Sequence, residues 1–383
     1  MVLRSISLQN FRNHAQTTLE PCEKVNVFVG QNGGGKTSLL EAISFVCVTR
    51  GLYGAADAVA VKKGENSFCV EGELRSDVNI PLHVRVEYDI QTGQKGIYLN
   101  RSKPERLADV IGRFPLVTLS PDHAAITKGG PAERRKFIDL ALSQTSRSYL
   151  ETILEYRRIL RHRNKLLLDT RLGKPIAKDA FEPWNTSLVQ TGAEVIAKRQ
   201  EFVHEFGQSL HDAYGRFVEN REEPGIVYRP TIEVESTETV QSIVEKLTLA
   251  LQKTEREERR LGSTLVGPHR DELVFSLNDM DVRAFASQGQ HKTFLVALKI
   301  AEYYYLIERT KEIPILLLDD VFSELDEERV QRVLDLMEQL GQTFVTTVDD
   351  RMFRSGYDLR PEYRRFRVHN GTVDALHAQT VIN

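Results

Sequence analysis

Gly30-Gln31-Asn32-Gly33-Gly34-Gly35-Lys36-Thr37 reads as a glycine, four residues, then Gly-Lys-Thr, the composition of a phosphate-binding loop. The chemistry demands these residue types. Glycines let successive backbone N–H groups turn inward around an anion, and a helix opening at the lysine aims its positive dipole end at the same point. Lys36 is placed to reach the β and γ phosphates of a nucleotide, and Thr37 to offer its hydroxyl to Mg²⁺. The flanks fit. Val25-Asn26-Val27-Phe28-Val29 is a short β-branched run that stops at Gly30. Beyond it, Leu39, Leu40, Ile43 and Val46 recur at helical spacing between Thr37 and Val48. Strand, loop and helix in this order predict an α/β core; the competing reading is a glycine-rich turn without a ligand.

A second stretch fits the same chemistry. Ile313-Pro314-Ile315-Leu316-Leu317-Leu318 is a near-continuous apolar run, as expected of a strand covered on both faces. It ends in Asp319-Asp320, the Walker B arrangement, with Ser323-Glu324-Leu325-Asp326 following. Asp319 is expected to hold Mg²⁺, and Asp320 to orient or deprotonate the attacking water. A third stretch, Ser287-Gln288-Gly289-Gln290, precedes a predicted helix that buries Phe294, Leu298, Ala301 and Tyr305. Ser287 with Gln290 also fits a capping box, which alone means only a well-capped helix. In a chain with both other motifs, Ser-x-Gly-Gln marks an ABC-type ATPase. The start of this helix, through Ser287, Gly289 and Gln290, then meets the γ-phosphate held by another head. Guanine selectivity has no support, since Asn164-Lys165 continues with Leu166-Leu167.

The 383 residues exceed what one core usually holds. The expected division is an ATPase lobe from 1–130 and 261–383, interrupted by a mainly helical lobe at 131–260. In the first part, Leu82, Val84, Val86, Tyr88 and Ile90 alternate with polar residues, and Gly96–Leu99 returns after a turn, so an antiparallel subsheet is expected. The insert contains a minor strand near Ile226–Ile232 and helices that look too short and broken for a long coiled coil. Phe344-Val345 reads as a further strand, and Asn370-Gly371 as a hairpin turn. Lys plus Arg number 51 against 54 acids, a net charge of −3, which argues against histone-like coating of DNA while allowing a local basic patch. No 18-residue uncharged apolar run or signal-peptide core is present, so a cytoplasmic protein is expected. Cys22, Cys47 and Cys69 have no metal-ligand spacing and read as reduced thiols.

The chain resembles the RecF family of bacterial recombination-repair ATPases, related to SMC-type heads. The resemblance spans the whole chain. It rests on Leu8-Gln9-Asn10-Phe11-Arg12-Asn13, Gly30–Thr37, Gly129-Gly130-Pro131 with Arg134–Asp139, Gly267-Pro268-His269-Arg270-Asp271, Ala286–Lys292 and Leu317–Asp326. It implies nucleotide contacts from Arg12 and Asn13. It also implies an ATP-dependent homodimer that clamps single-stranded, double-stranded or gapped DNA, with slow, DNA-stimulated hydrolysis releasing it. RecO and RecR as partners in loading RecA, and a link to the SOS response, follow from the same resemblance. Some residues depart from the pattern. Ala286 stands where Leu is usual, Gly34 is one glycine more than the loop needs, and Thr346-Thr347 occupy the region of the transporter switch histidine. Ser120-Pro121-Asp122 is the candidate Q-loop.

Between Arg134 and Lys165 there are nine Lys or Arg against three acids. Arg157, Arg158, Arg161 and Lys165 fall on one helical stripe, which with Arg134 and Arg135 is the candidate DNA surface; the alternative is a solvated face paired with Glu151 and Glu155. No aromatic-interleaved platform marks base reading, so binding should be sequence-independent. Tyr303-Tyr304-Tyr305 fits a core better than a stacking surface. Two other functions compete: the energising subunit of a membrane transporter, which calls for a switch histidine and no basic insert, and a P-loop kinase, which needs no Ser287–Gln290 motif.

Overall fold

The computed structural model describes residues 1–376 except 53–55, 107–108, 219–221, 236, 325–326, 350 and 354–361; Leu325 and Asp326 of the stretch after Asp319-Asp320 thus lie outside the described residues. The chain opens with β1 (Val2–Phe11), β2 (His14–Leu19), β3 (Val25–Val29), α1 (Lys36–Val48), β4 (Ser67–Arg75), β5 (Pro81–Asp89), β6 (Gln94–Leu99) and β7 (Leu116–Leu119). It continues through α2 (Ala124–Lys128), α3 (Pro131–Thr145), α4 (Arg147–Arg171), α5 (Glu182–Gly215), β8 (Pro224–Arg229), α6 (Val240–Leu261), β9 (Glu272–Leu277), β10 (Met280–Asp281), α7 (Val282–Phe285) and α8 (Gln288–Thr310). Last come β11 (Ile315–Asp319), α9 (Glu327–Gln339), β12 (Thr343–Thr347), β13 (Tyr363–His369) and β14 (Thr372–Leu376). Two units result, one of Met1–Ala124 with Glu302–Asn383 and one of Ala125–Ala301. The helical segment expected at 131–260 therefore extends to residue 301. The reason is a strand pair: β9 binds β8 antiparallel and draws the chain after Leu261 into the same sheet.

In the first unit a six-stranded sheet has the order β14-β13-β3-β12-β11-β7, parallel except at its β13–β14 edge hairpin. Its inner strands β11 and β12 are buried along their whole length, as their apolar runs require. The second sheet, β2-β1-β4-β5-β6, is antiparallel throughout, as the alternation in Pro81–Ile90 predicted. Helix α1 touches strands of both sheets. It is accordingly buried on every side from Leu39 to Val48, not on the single face that its spacing suggests. Phe11, Phe45 and Phe68 meet edge to face in this core. Tyr303 and Tyr305 are buried, consistent with a packing role.

In the second unit α4, α5 and α6 run for 25, 34 and 22 residues and pack on one another. The expectation of short, broken helices is corrected here. Pro183 lies in the first turn of α5, where proline is tolerated, and the Gly173-Lys174-Pro175 break falls between helices. A buried polar network ties these helices to the Gly-Pro-His-Arg-Asp stretch. Arg199, 2 % exposed, donates to Asp139 Oδ1 at 2.8 Å and to the Pro268 carbonyl at 2.7 Å. Arg157 reaches the other Asp139 oxygen at 2.8 Å. Burial pushes the Asp139 carboxyl up, but Arg199 and Arg157 outweigh it and hold it below the usual carboxylate range. His269 Nδ1 meets the Tyr156 hydroxyl at 2.7 Å, and Asp271 accepts from the Thr231 N–H at 2.7 Å and from the Tyr228 hydroxyl. Arg199→Leu removes one partner of a buried pair and is expected to cost about 3–5 kcal/mol. A urea midpoint within error of the parent's would show that the network carries no such weight.

Candidate nucleotide-binding site

Parallel pairing brings the carboxyl ends of four strands to one edge of the six-stranded sheet: Val29 lies opposite Thr347, Asp319 opposite Thr346, and Leu318 opposite Leu119. Crevices beyond such strand ends are where α/β sheets bind ligands. A cavity of about 630 Å³ opens there, lined by the glycine-rich loop and by Arg12, Asn13, Asp122, Asp319, Asp320 and Thr346.

The loop adopts its form through its glycines. Gly35 has φ of 110°, and a Cβ on it would stand 2.7 Å from Asn13 Nδ2 and 2.8 Å from His14 Nε2. Gly34 is not surplus: a Cβ there would sit 3.1 Å from the Gln31 carbonyl oxygen and 3.2 Å from that of Val368. The expected Asn370-Gly371 hairpin turn supports the loop, since the Gly371 N–H donates to the Gly34 carbonyl at 3.0 Å. Lys36 Nζ donates to the Gly30 and Gln31 carbonyls at 2.8 and 2.9 Å. Burial lowers the pKa of this ammonium, against the opposing pull of Asp320 and Asp319.

The acidic strand end meets the loop. Thr37 Oγ1 donates to Asp319 Oδ1 at 2.9 Å. Thr346 Oγ1 donates to the same oxygen at 2.6 Å and accepts the Asp320 N–H at 2.9 Å. Asp320 sits at φ of 50°, a left-handed conformation that Asp tolerates better than most residues. Thr346, noted in the sequence only because a histidine is missing there, thus joins the two aspartates. Asn13 Oδ1 is buried at the cavity without a hydrogen-bond partner among the described residues, an acceptor left for a ligand donor. Arg12 also lines the cavity, but its Nε and Nη2 grip Glu41 at 2.7 and 2.8 Å and its Nη1 donates to the Val59 carbonyl at 3.0 Å. Three further residues escaped the sequence reading. His14 Nε2 lies 3.1 Å from the Gly35 carbonyl, Glu41 anchors Arg12, and Thr17 holds the other His14 nitrogen at 3.0 Å. No local motif signals them: His14 and Glu41 act through partners 21 and 29 residues away, and Thr17 acts through His14.

In the second unit the capping box forms as its spacing suggests. The Ser287 N–H donates to Gln290 Oε1 at 2.7 Å, and the Gln290 N–H to Ser287 Oγ at 3.2 Å. Ser287 remains exposed. Gln290 Nε2 also donates to Glu222 at 2.8 Å, steadying the turn that contains Gly289.

The candidate DNA residues divide. Arg134 is corrected: it is buried, with Nε and Nη2 on Glu272 at 2.9 and 3.1 Å and Nη1 on the Gly129 carbonyl at 2.9 Å. A guanidinium buried and so engaged is not presented to an outside phosphate. Arg135 is half-buried and donates to the Asp271 carbonyl at 2.7 Å. Arg157, Arg158, Arg161 and Lys165 are all exposed along α4. Arg157 is paired with Asp139, and Arg158 with Glu155.

A P-loop joined to a Walker B aspartate at the carboxyl ends of parallel strands, in a chain that also has an antiparallel sheet and a mainly helical unit, defines an ABC-type head. Residues 2–372 match the model of the RecF/RecN/SMC N-terminal domain. Among relatives, the DNA replication and repair protein RecF of Chloroherpeton thalassium is 38 % identical over 356 residues, covering 92 % of this chain and 96 % of that one. The protein of the same name from Salinibacter ruber is 38 % identical over 375 residues, 97 % and 91 % of the two chains. The chain belongs to the RecF family. Its structure is similar to that of the recombination mediator protein RecF with ATP, from the RecFOR pathway: the TM-score is 0.89 at 32 % identity, over 98 % of this chain and 97 % of that one. An SMC head bound to the C-terminal winged-helix domain of ScpA, at 15 % identity and a TM-score of 0.52, shares the fold alone. Among the described residues no helix is long and apolar enough to cross a membrane.

Proposed function

We propose that this chain is an ATP-dependent DNA-binding protein of recombinational repair and replication-fork maintenance, with ATP hydrolysis as its switch. The observation that carries the reading is the meeting of Thr37, Asp319 and Lys36 in one cavity, in a chain of the RecF family. Lys36 trades its two loop carbonyls for phosphate oxygens, the loop N–H groups complete the cradle, and Asn13 Oδ1 accepts from a hydroxyl or amino group of the nucleotide. Arg12, fixed by Glu41, borders the nucleotide. Thr37 and Asp319 are the groups that would hold Mg²⁺, which when bound offsets charge on the phosphates. Asp320 orients the attacking water and takes its proton. In an ATP-bound homodimer, Ser287, Gly289 and Gln290 of one copy face the nucleotide of the other, and the Ser287 hydroxyl, whose oxygen only accepts in the capping box, donates to it. The dimer clamps DNA through phosphate contacts that include the α4 stripe, and slow, DNA-stimulated hydrolysis releases it. RecO and RecR are the expected partners in loading RecA, and a part in the SOS response follows. A transporter subunit and a P-loop kinase are not favoured, since relatives matching more than nine-tenths of the chain are RecF proteins.

Sedimentation with and without ATP and DNA tests this: a dimer is expected with ATP, and its co-sedimentation with duplex DNA only then. A monomer under all conditions would sink the clamp. Asp320→Asn is expected to lower turnover about 10²-fold or more while ATP affinity stays level, since the amide cannot take the proton. Asn tolerates the same left-handed backbone, so the loop should keep its form. Parental turnover in this variant would move the water-activating role elsewhere.

A further inference from the structure

Among the described residues of the second unit, a notch of about 190 Å³ lies along the central strand β9, away from the α4 stripe in sequence. Its floor includes the neutralised pair Arg134–Glu272, in which four of the five guanidinium N–H groups serve Glu272 and the carbonyls of Ile126 and Gly129. Arg229, at the end of β8, and Arg283, in α7, line the same notch and are exposed. Neither guanidinium has a hydrogen-bond or ion-pair partner among the described residues. The one other acid there, Asp281, accepts the Arg283 backbone N–H at 2.8 Å and so caps α7. The Arg134–Glu272 pair is neutralised, and the two arginine forks that line the same notch have open donors. Planar forks of this kind match the oxygens of a phosphate. The notch also stands close to the signature in sequence, since α7 ends at Phe285 and the capping box opens at Ser287.

We infer that Arg229 and Arg283 form a second phosphate-binding site, distinct from the P-loop. Its ligand is a phosphate oxyanion, supplied by the backbone of DNA or by a nucleotide held on a second copy of this chain. The inference rests on the reading of the chain as an ATP-dependent DNA clamp. It changes where that clamp grips: the basic charge read from α3 is spent inward by Arg134, while Arg229 and Arg283, outside every basic cluster in the sequence, face outward.

The test is Arg229→Gln with Arg283→Gln in the full chain, beside Lys253→Gln with Arg256→Gln, the same charge change on the exposed face of α6. Binding of a labelled duplex is followed by fluorescence anisotropy in ATP across a salt series, and ATP-induced dimerisation by sedimentation without DNA. If DNA supplies the phosphate, the notch variant binds about tenfold or more weakly at low salt. Its slope of log affinity against log salt is then shallower by about two, and the α6 variant matches the parent. If the partner's nucleotide supplies it, the notch variant keeps the parental slope but dimerises about tenfold or more weakly with ATP. Monomeric ATP binding stays parental in either case, because the P-loop lies in the other unit. Parental behaviour of the notch variant in both assays overturns the inference, as does an equal loss in the α6 variant. Failure of the parent itself to bind DNA with ATP would instead fault the proposed function, and the dimerisation arm would then decide the notch alone.

Discussion

Lys36→Ala is expected to abolish ATP-dependent behaviour while the fold survives. Among the described residues the side chain hydrogen-bonds only the Gly30 and Gln31 carbonyls within the loop. Those are contacts that an empty cradle can pass to water. The shape of the loop is held elsewhere: by the Gly371 contact to the Gly34 carbonyl and by Asn13 and His14 against Gly35. What the substitution removes is the ammonium proposed to meet the phosphates. Charge-assisted hydrogen bonds contribute roughly 1.5–3 kcal/mol each, and an ammonium donates several. A loss of about 10²-fold or more in ATP affinity should follow, with thermal stability close to the parent's. Equilibrium binding of labelled ATP checks the first half and a melting curve the second. If the variant binds ATP like the parent, the cradle assignment fails.

Ser287→Arg should act on association, not on nucleotide capture. The capping box lies in the second unit and the P-loop in the first, so one copy should still take up ATP. In a two-fold dimer the lesion occurs at both composite sites. At roughly 1.5–3 kcal/mol for each lost contact, the dimer should weaken by roughly 3–6 kcal/mol, or about 10²–10⁴-fold. The bulk of arginine adds to that. Mixing this variant with Lys36→Ala sharpens the test. The heterodimer joins one intact composite site to one that is doubly damaged, so part of the ATPase activity should return. Ser287→Arg monomers that dimerise with ATP as readily as the parent would reduce the stretch to an ordinary capped helix start.

The strand, glycine-rich loop and helix at residues 25–48 were legible because their signal is local. A β-branched run, a glycine loop and a helix follow one another, and backbone N–H geometry needs nothing from elsewhere. The apolar run into Asp319-Asp320 was legible for the same reason, and so was the capping box, whose members are three residues apart. The alternation in Pro81–Ile90 gave the antiparallel sheet directly.

Other features depended on neighbours that no window of sequence contains. Helix α1 shows a one-sided spacing but is flanked by two sheets, and only their presence makes its other face a core. The domain boundary moved because β9 pairs with β8, a choice made by hydrogen bonds between strands that helix α6 separates in sequence. Thr346, His14 and Glu41 entered the site through strand register and a buried ion pair, with no motif of their own. The basic stretch after Arg134 shows the limit most plainly. Sequence counts charges, whereas burial and pairing decide where they point: Arg134 turned inward to Glu272, while Arg229 and Arg283 were left facing out. A charge finds its partner through space, so only the tertiary structure could decide which arginines remain to meet a ligand.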